Sequence, residues 1–334
     1  MACRVGINGF GRIGRMVARR SLEVPDVEIV AVNDLSPIDE LVYLFKYDSV
    51  HGFLREEVSH DEKVICVAGR ELRFFSEEEP AKIPWSTIGA DVVIEATGAF
   101  RGRDAAAQHL RGGARKVLIS APSSDADVTI VLGVNWESYE SARHDVISMA
   151  SCTTNSLAPV AKVLHRQFGI SRLFITTVHA YTSSQSLMDT PVRHRRRGRA
   201  GSLSMVPTTT GAARATGIVL PELAGKMDGI AIRVPIPDGS VTDIVATLEK
   251  GTNSEEVNSC LREAAQKPPL KGVLEVNDDE IVSADIIGNP HSAIVDGPST
   301  NVLDDTMVKL LSWYDNEWGY SCRLVDVAAR LANS

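Results

Sequence analysis

Apolar residues in this chain fall in short runs rich in Val and Ile, spaced by polar gaps long enough for a helix or a loop. Up to residue 150 the runs are Cys3–Ile7, Val27–Val32, Val64–Val67, Leu72–Phe75, Asp91–Ala96, Lys116–Ser120, Thr129–Gly133 and Val146–Met149. Short continuous runs of this kind suit strands buried on both faces of a largely parallel sheet, with helices such as Arg103–Leu110 packed outside it. Val64–Val67 and Leu72–Phe75 lie close enough to form a hairpin.

Past residue 150 the pattern changes. Leu157, Val160, Ala161, Val163 and Leu164 make one helical face that stops near Gly169. Pro159 interrupts it, and an interior proline costs on the order of 3 kcal/mol. The helix therefore either begins near Ala158 or begins at Ser151 and tolerates the ring. Leu173–Val178, Gly229–Pro235, Val241–Leu248 and Asp304–Ser312 read as strands, and Ser254–Glu263 and Ser321–Leu331 as helices. From Thr182 to Pro207 there is almost no apolar periodicity, and a loop of that length is usually functional or disordered.

Composition narrows the class. At 334 residues the chain exceeds one ordinary core, and 44% apolar with 23% charged residues is a globular composition, so two domains are expected. No apolar run reaches the 18 or so residues of a membrane span, and Arg4 and Asn8 break up the N-terminus, so a cytoplasmic protein with no membrane partner is expected. The five cysteines (3, 66, 152, 260, 322) are odd in number and lack paired spacing, which fits a reducing compartment and predicts neither disulfides nor a metal site. A net charge of −8 argues against nucleic acid as a primary partner.

The candidate chemistry begins at Gly9-Phe10-Gly11-Arg12-Ile13-Gly14, which follows the first strand directly and leads into a helix. In that setting the glycines permit a tight turn, close approach of a pyrophosphate and close helix–strand packing. The second strand ends in Asn33-Asp34, 20 residues after Gly14, where an acidic side chain would meet ribose hydroxyls and repel a 2′-phosphate. A plain glycine turn with a helix-initiating Asp is the alternative. Other strands end in small polar residues at Thr97, Ser120 and Ser151-Cys152, so a cofactor and a thiol are expected on one rim. Cys152 is either a buried small hydrophobe or a nucleophile at a helix N-terminus. His179 closes the strand Leu173–Val178 and is either a satisfied polar group or the base that activates the thiol. Arg193, Arg195, Arg196, Arg197 and Arg199 mark the long loop as a solvated or subunit-facing run, or as a phosphate site. Pro207–Gly211 supplies clustered hydroxyls. Arg233, within an apolar strand, calls for an anionic ligand or a structural ion pair.

Together these parts point to oxidation of an aldehyde through a thioester. A thiolate makes a thiohemiacetal, a nicotinamide takes the hydride and a base takes the hydroxyl proton. The Thr- and Arg-rich elements favour inorganic phosphate as the group that releases the acyl chain. The segments Ala-Ser-Cys-Thr-Thr-Asn (150–155), His-Ala-Tyr-Thr (179–182), Pro-Thr-Thr-Thr-Gly-Ala-Ala (207–213), Arg-Val-Pro (233–235) and Ser-Trp-Tyr-Asp-Asn-Glu-Trp-Gly-Tyr-Ser (312–321), with the opening Gly-Ile-Asn-Gly-Phe-Gly-Arg-Ile-Gly-Arg (6–15), resemble the phosphorylating glyceraldehyde-3-phosphate dehydrogenases from residue 4 to about 328.

The resemblance implies an α/β chain: a Rossmann-type, mostly parallel domain over 1–150, and an α+β catalytic domain with a large mixed or antiparallel sheet over 151–316. The C-terminal helix 317–334 would pack back onto the first domain. It implies NAD-dependent, reversible conversion of glyceraldehyde 3-phosphate and inorganic phosphate to 1,3-bisphosphoglycerate, with Cys152 as nucleophile and His179 as base. Thr182 and Arg233 would hold the substrate phosphate, and Ser151, Thr153, Thr210 and Gly211 the attacking phosphate, with Arg197 nearby. Gly9, Gly11, Arg12, Ile13, Gly14, Asp34, Thr97, Ser120, Asn316 and Tyr320 would bind NAD. The family is a homotetramer whose long loop borders a neighbour's cofactor.

Two departures stand out: Ser156 replaces a second cysteine that many members carry, and Arg193 and Arg195 make the loop unusually basic. The rival readings are erythrose-4-phosphate dehydrogenase and a second, non-catalytic redox or RNA-associated role.

Overall fold

The structure, a computed structural model, describes residues 2–332 and divides into two compact units. The first holds the chain up to Ile130, the segment Glu137–Ala150 and the residues from Ser321 on. The second holds Val131–Trp136 and Ser151–Tyr320.

The first unit is built on a nine-stranded sheet in the order Val128–Thr129, Val146–Ser148, Lys116–Ile119, Val92–Glu95, Cys3–Asn8, Val27–Asn33, Arg70–Phe75, Val64–Val67 and Val58–His60. The first seven strands run parallel and the last two pairings are antiparallel, so Val64–Val67 alone runs the other way; its pairing with Arg70–Phe75 is the expected hairpin. Val92–Glu95 is buried throughout and Cys3–Asn8 almost throughout, as strands covered on both faces must be. Register sets Asn8 beside both Asn33 and Glu95, so three polar side chains meet at the carboxyl ends of the central strands.

Two expectations for this half are corrected. The apolar run Thr129–Gly133 pairs only as Val128–Thr129; Val131, Leu132 and Val134 are buried in a turn that the Asn135 side chain fixes by accepting from the Val131 amide (2.9 Å). Burial there needs no ladder, because Gly133 adopts a left-handed φ of +84° and Asn135 satisfies the backbone. The helix expected over Arg103–Leu110 is two short pieces, Arg103–Ala106 and Gln108–Arg111. The first starts at Gly102 without a side-chain cap, and the second runs into Gly112 and Gly113.

The second unit carries a mixed seven-stranded sheet in the order Val206–Thr209, Met227–Val234, Ile170–Ala180, Ser240–Leu248, Met307–Tyr314, Ala293–Leu303 and Leu274–Asn277. The helix Cys152–Phe168 packs on this sheet with Leu157, Val160, Ala161 and Leu164 fully buried. It starts at the cysteine and keeps Pro159 inside, so of the two starts considered above the longer helix is the one that forms. The proline withholds one backbone donor, and the buried apolar face offsets that loss. Among the described residues no helix is long and apolar enough to cross a membrane.

Candidate active site

Ser151 caps the helix Cys152–Phe168. Its hydroxyl accepts from the Thr154 amide (3.1 Å) and shares a hydrogen with Thr154 Oγ1 (2.8 Å). Ala150, immediately before it, holds a left-handed φ of +53°, a conformation rare outside glycine, which turns the chain sharply between the strand Val146–Ser148 and the helix. Cys152 thus occupies the first turn, where free N–H groups and the dipole favour an anion. Burial pushes its thiol up; Arg233 and hydrogen bonds from the Thr153 amide and hydroxyl pull it back.

Cys152 Sγ lies 3.5 Å from His179 Nε2. His179 stands near the end of the strand Ile170–Ala180, in register with Arg233 on the parallel strand Met227–Val234, which is why the two cross the sheet as neighbours. Burial, and then Arg233, push His179 down to about 3, so the imidazole is neutral in this site. Its Nδ1 is 2.7 Å from the Ala180 carbonyl and 2.6 Å from Arg233 Nη1, which itself donates to the same carbonyl at 2.8 Å. A guanidinium only donates. While Arg233 donates to Nδ1, the ring hydrogen sits on Nε2; when Nδ1–H donates to Ala180, the Nε2 lone pair faces the sulfur.

Arg233 has no ion-pair partner among the described residues, and its Nε is buried without a hydrogen bond. Of the two readings of this residue, the structural ion pair is absent and the unfilled guanidinium remains. Arg197 donates from Nε to Thr208 Oγ1 (2.9 Å) and, with Arg195, Arg196, Thr208 and Thr209, lines a cavity of about 450 Å³. Thr210 Oγ1 accepts from the Ala212 amide (3.2 Å), and Gly211 opens the helix Ala212–Val219 with empty space where a Cβ would stand. Thr182 Oγ1 is 2.8 Å from Ser184 Oγ. Asn316 Oδ1 accepts from Ser240 Oγ (2.6 Å), whose oxygen accepts from the Ala180 amide (3.1 Å). Tyr320 is buried, and burial pushes its phenol well above the ordinary range.

One part of this unit escaped the sequence reading. Tyr314, 1% exposed, binds Thr153 Oγ1 (2.9 Å) and Thr177 Oγ1 (3.0 Å) through its hydroxyl, and its ring lies edge-on to His179 with centroids 6.0 Å apart. It braces the thiol through Thr153 and the base through its ring. The available signal was a pair of inward threonines, Thr177 and Thr242, each two residues from another buried polar side chain, His179 and Ser240.

In the first unit the glycine loop divides its labour as a pyrophosphate turn requires. Gly9 has φ +94°, and a Cβ on it would fall 2.7 Å from the Thr97 amide nitrogen. A Cβ on Gly14 would fall 2.2 Å from the Gly9 carbonyl, while one on Gly11 meets nothing within 4 Å. Gly11 therefore marks open space at the start of the helix Arg12–Ser21, a cradle for phosphate that a side chain would fill. Asp34 accepts from the Phe10 amide with Oδ2 (2.7 Å) and from Ser36 with Oδ1 (2.9 Å). Gly9, Gly11, Asp34, Thr97 and Phe100 line a cavity of about 430 Å³. Arg12 turns its guanidinium to the buried carboxylate of Asp48, and Ile13 beside it is partly exposed at the start of the helix. The Ser120 amide binds the Glu95 carbonyl (3.0 Å) at the strand ends.

Comparison with known proteins agrees with this geometry. Residues 3–103 match the model for the glyceraldehyde 3-phosphate dehydrogenase NAD binding domain, and residues 151–316 the model for the C-terminal domain of that family. The chain is 53% identical to a glyceraldehyde-3-phosphate dehydrogenase of Streptomyces coelicolor over 334 residues, all of this chain and 99% of the relative. It is 54% identical to that of Geobacillus stearothermophilus over 333 residues, and 52% identical to glyceraldehyde-3-phosphate dehydrogenase 1 of Bacillus subtilis over 332, each covering 99% of the relative. A thiol and imidazole at bonding distance, a glycine turn shaped for a dinucleotide and this likeness along the whole length agree: the chain belongs to the glyceraldehyde-3-phosphate dehydrogenase family.

Proposed function

We propose that this chain oxidises glyceraldehyde 3-phosphate with NAD and inorganic phosphate to 1,3-bisphosphoglycerate, with Cys152 as nucleophile and His179 as acid and base. The observation that carries the reading is the 3.5 Å approach of Cys152 Sγ to a neutral His179 beside an unpaired, largely buried Arg233. NAD, when bound, supplies the hydride acceptor. Cys152 adds to the aldehyde carbon, and the Thr153 amide and the helix N-terminus stabilise the sulfur. His179 Nε2 takes the hydroxyl proton as the hydride departs and the thioester forms. Arg233, drawn onto an anionic oxygen, leaves Nδ1 free to donate to Ala180, which turns the Nε2 lone pair toward the reacting centre. Thr182 and Arg233 hold the substrate phosphate. Ser151, Thr153, Thr210, Gly211 and Arg197 bring in the phosphate that attacks the thioester. Gly9, Gly11, Gly14, Asp34, Thr97 and Ser120 seat the dinucleotide, Arg12 and Ile13 contribute through the loop backbone, and Asn316 and Tyr320 face the nicotinamide end.

The working form is a homotetramer in the cytoplasm. Leu187, Met188, Leu203 and Met205, each about 70% exposed on the long loop, support burial against further copies of the chain. The test is an initial-rate matrix crossing NAD or NADP with glyceraldehyde 3-phosphate or erythrose 4-phosphate, with and without inorganic phosphate. Turnover is expected with NAD and glyceraldehyde 3-phosphate and only when phosphate is present. Equal or faster turnover of erythrose 4-phosphate without phosphate would overturn the reading.

A further inference from the structure

Under the cavity of the first unit lies a buried polar network in which Trp85, Glu95, His109, Asn8 and Asn33 have none of the roles above. Trp85 and His109 are fully buried and Glu95 is 1% exposed. The Trp85 indole N–H donates to His109 Nδ1 (3.0 Å), and His109 Nε2 lies 3.0 Å from Glu95 Oε2. The same oxygen accepts from Asn8 Nδ2 (2.6 Å), and Asn8 Oδ1 accepts from Asn33 Nδ2 (2.8 Å). Asn33 also accepts from the Glu77 amide (2.8 Å). The other oxygen of Glu95 accepts from the Thr97 amide (2.8 Å) and from the Thr97 hydroxyl, whose oxygen in turn accepts from the Ala99 amide (3.0 Å).

The direction of every bond is fixed by groups that can only donate: the Trp85 indole and the amides of Thr97 and Glu77. Trp85 makes His109 Nδ1 an acceptor, so the ring hydrogen is on Nε2 and points at Glu95. The Glu77 amide fixes the Asn33 flip, and Asn33 fixes that of Asn8. Four donors therefore converge on one carboxylate, and no flip or tautomer inside the network can replace its acceptor oxygens. Asn8, Asn33, Glu77, Thr97 and Ala99 all line the cavity, and the Thr97 amide presses on Gly9, where not even a Cβ fits.

We propose that Glu95 is a positioning residue for the dinucleotide. It holds Thr97 and Asn8 at the spacing that keeps the Gly9 turn and the 97–99 turn open to the ligand, and His109 and Trp85 orient the carboxylate. The inference rests on the dinucleotide occupying this cavity, which titration of the wild type tests separately. Glu95→Gln places an NH₂ opposite two donors, whichever way the amide turns. The experiment measures NAD and NADH binding by fluorescence titration, together with steady-state kinetics and thermal unfolding, for the wild type, Glu95→Gln and Trp85→Phe.

In Glu95→Gln the dissociation constant for NAD and its KM are expected to rise about tenfold, the factor that one lost charge-assisted hydrogen bond gives, with kcat at saturating NAD within about twofold. Trp85→Phe keeps the carboxylate but releases His109 to change tautomer, and is expected to raise the same constants about threefold. Unchanged NAD binding in Glu95→Gln, or a fall in kcat and in affinity for every substrate alongside a lower melting temperature, would overturn the proposal. Should Glu95→Gln fail to fold, Trp85→Phe, which alters no group of the cavity lining and reaches Glu95 only through His109, serves in its place. Unaltered NAD affinity there is equally fatal.

Discussion

The thiol site and the dinucleotide cavity treat their polar groups in opposite ways. Around Cys152 the structure leaves interaction capacity unused: Arg233 has a buried, unbonded Nε and no carboxylate, and His179 is held far below its ordinary range by burial and by that same arginine. Around Glu95 each oxygen has two donors, and every bond runs one way. A site that stabilises developing charge benefits from groups whose partner arrives with the substrate, because their interaction energy then appears during reaction. A site that binds one ligand in one pose benefits from rigidity paid for in advance. Substitutions in the first region should therefore cost activity, and in the second, affinity.

Cys152→Ser should produce the largest effect. The hydroxyl is a far weaker nucleophile with no base strong enough to ionise it, so kcat should fall by at least about a thousandfold. The far-ultraviolet spectrum and NAD titration should match the wild type, since the side chain's remaining partners, Thr153 and His179, still accept and donate. Turnover near the wild-type rate would show that the reacting group lies elsewhere and would erase the contrast between the two regions.

Arg233→Gln comes next and is the sharper test. Losing a charge-assisted contact to a phosphate is worth roughly 1.5–3 kcal/mol, so kcat/KM for glyceraldehyde 3-phosphate should fall by about ten- to a hundredfold. A partly buried arginine with an unbonded Nε and no counter-charge also strains the free protein, so the variant should melt at a higher temperature than the wild type in the absence of substrate. Lower activity with lower stability would mean that Arg233 is a structural group after all, and that the reaction site is as well satisfied as the cofactor site.

The two regions were also unequally legible in the sequence. Cys152, His179 and Arg233 could be picked out because each is chemically conspicuous at the end or in the middle of an apolar run, and the glycine turn because its spacing has a physical reason at every position. The backbone form that burial takes was less readable. Thr129–Gly133 looked like a strand because apolar content reports burial, and a buried turn has the same content. Tyr314 and Thr177 were hidden because a hydroxyl hub joins residues far apart in sequence. Glu95 and His109 were hidden for the same reason, since only the parallel register of three strands brings Asn8, Asn33 and Glu95 together.

Asp34 sits on the border of the contrast and gives the smallest expected effect. Its carboxylate is already used by the Phe10 and Ser36 amides, one on each oxygen, so it belongs to the satisfied region. Each carboxylate oxygen still has a further lone pair. A ribose hydroxyl can donate to it; a 2′-phosphate brings only negative charge. Discrimination here thus arises from what a rigid, bonded carboxylate refuses as much as from what it accepts. Asp34→Ala removes that refusal along with two amide acceptors. NAD affinity should weaken and the preference for NAD over NADP should narrow, each on the order of tenfold or about 1.4 kcal/mol, with kcat on NAD little changed. Paired titrations with NADH and NADPH measure both terms. A preference that stays intact in Asp34→Ala would move the source of discrimination to the shape of the cavity around Leu35 and Phe100, and would make the cofactor site selective by packing rather than by charge.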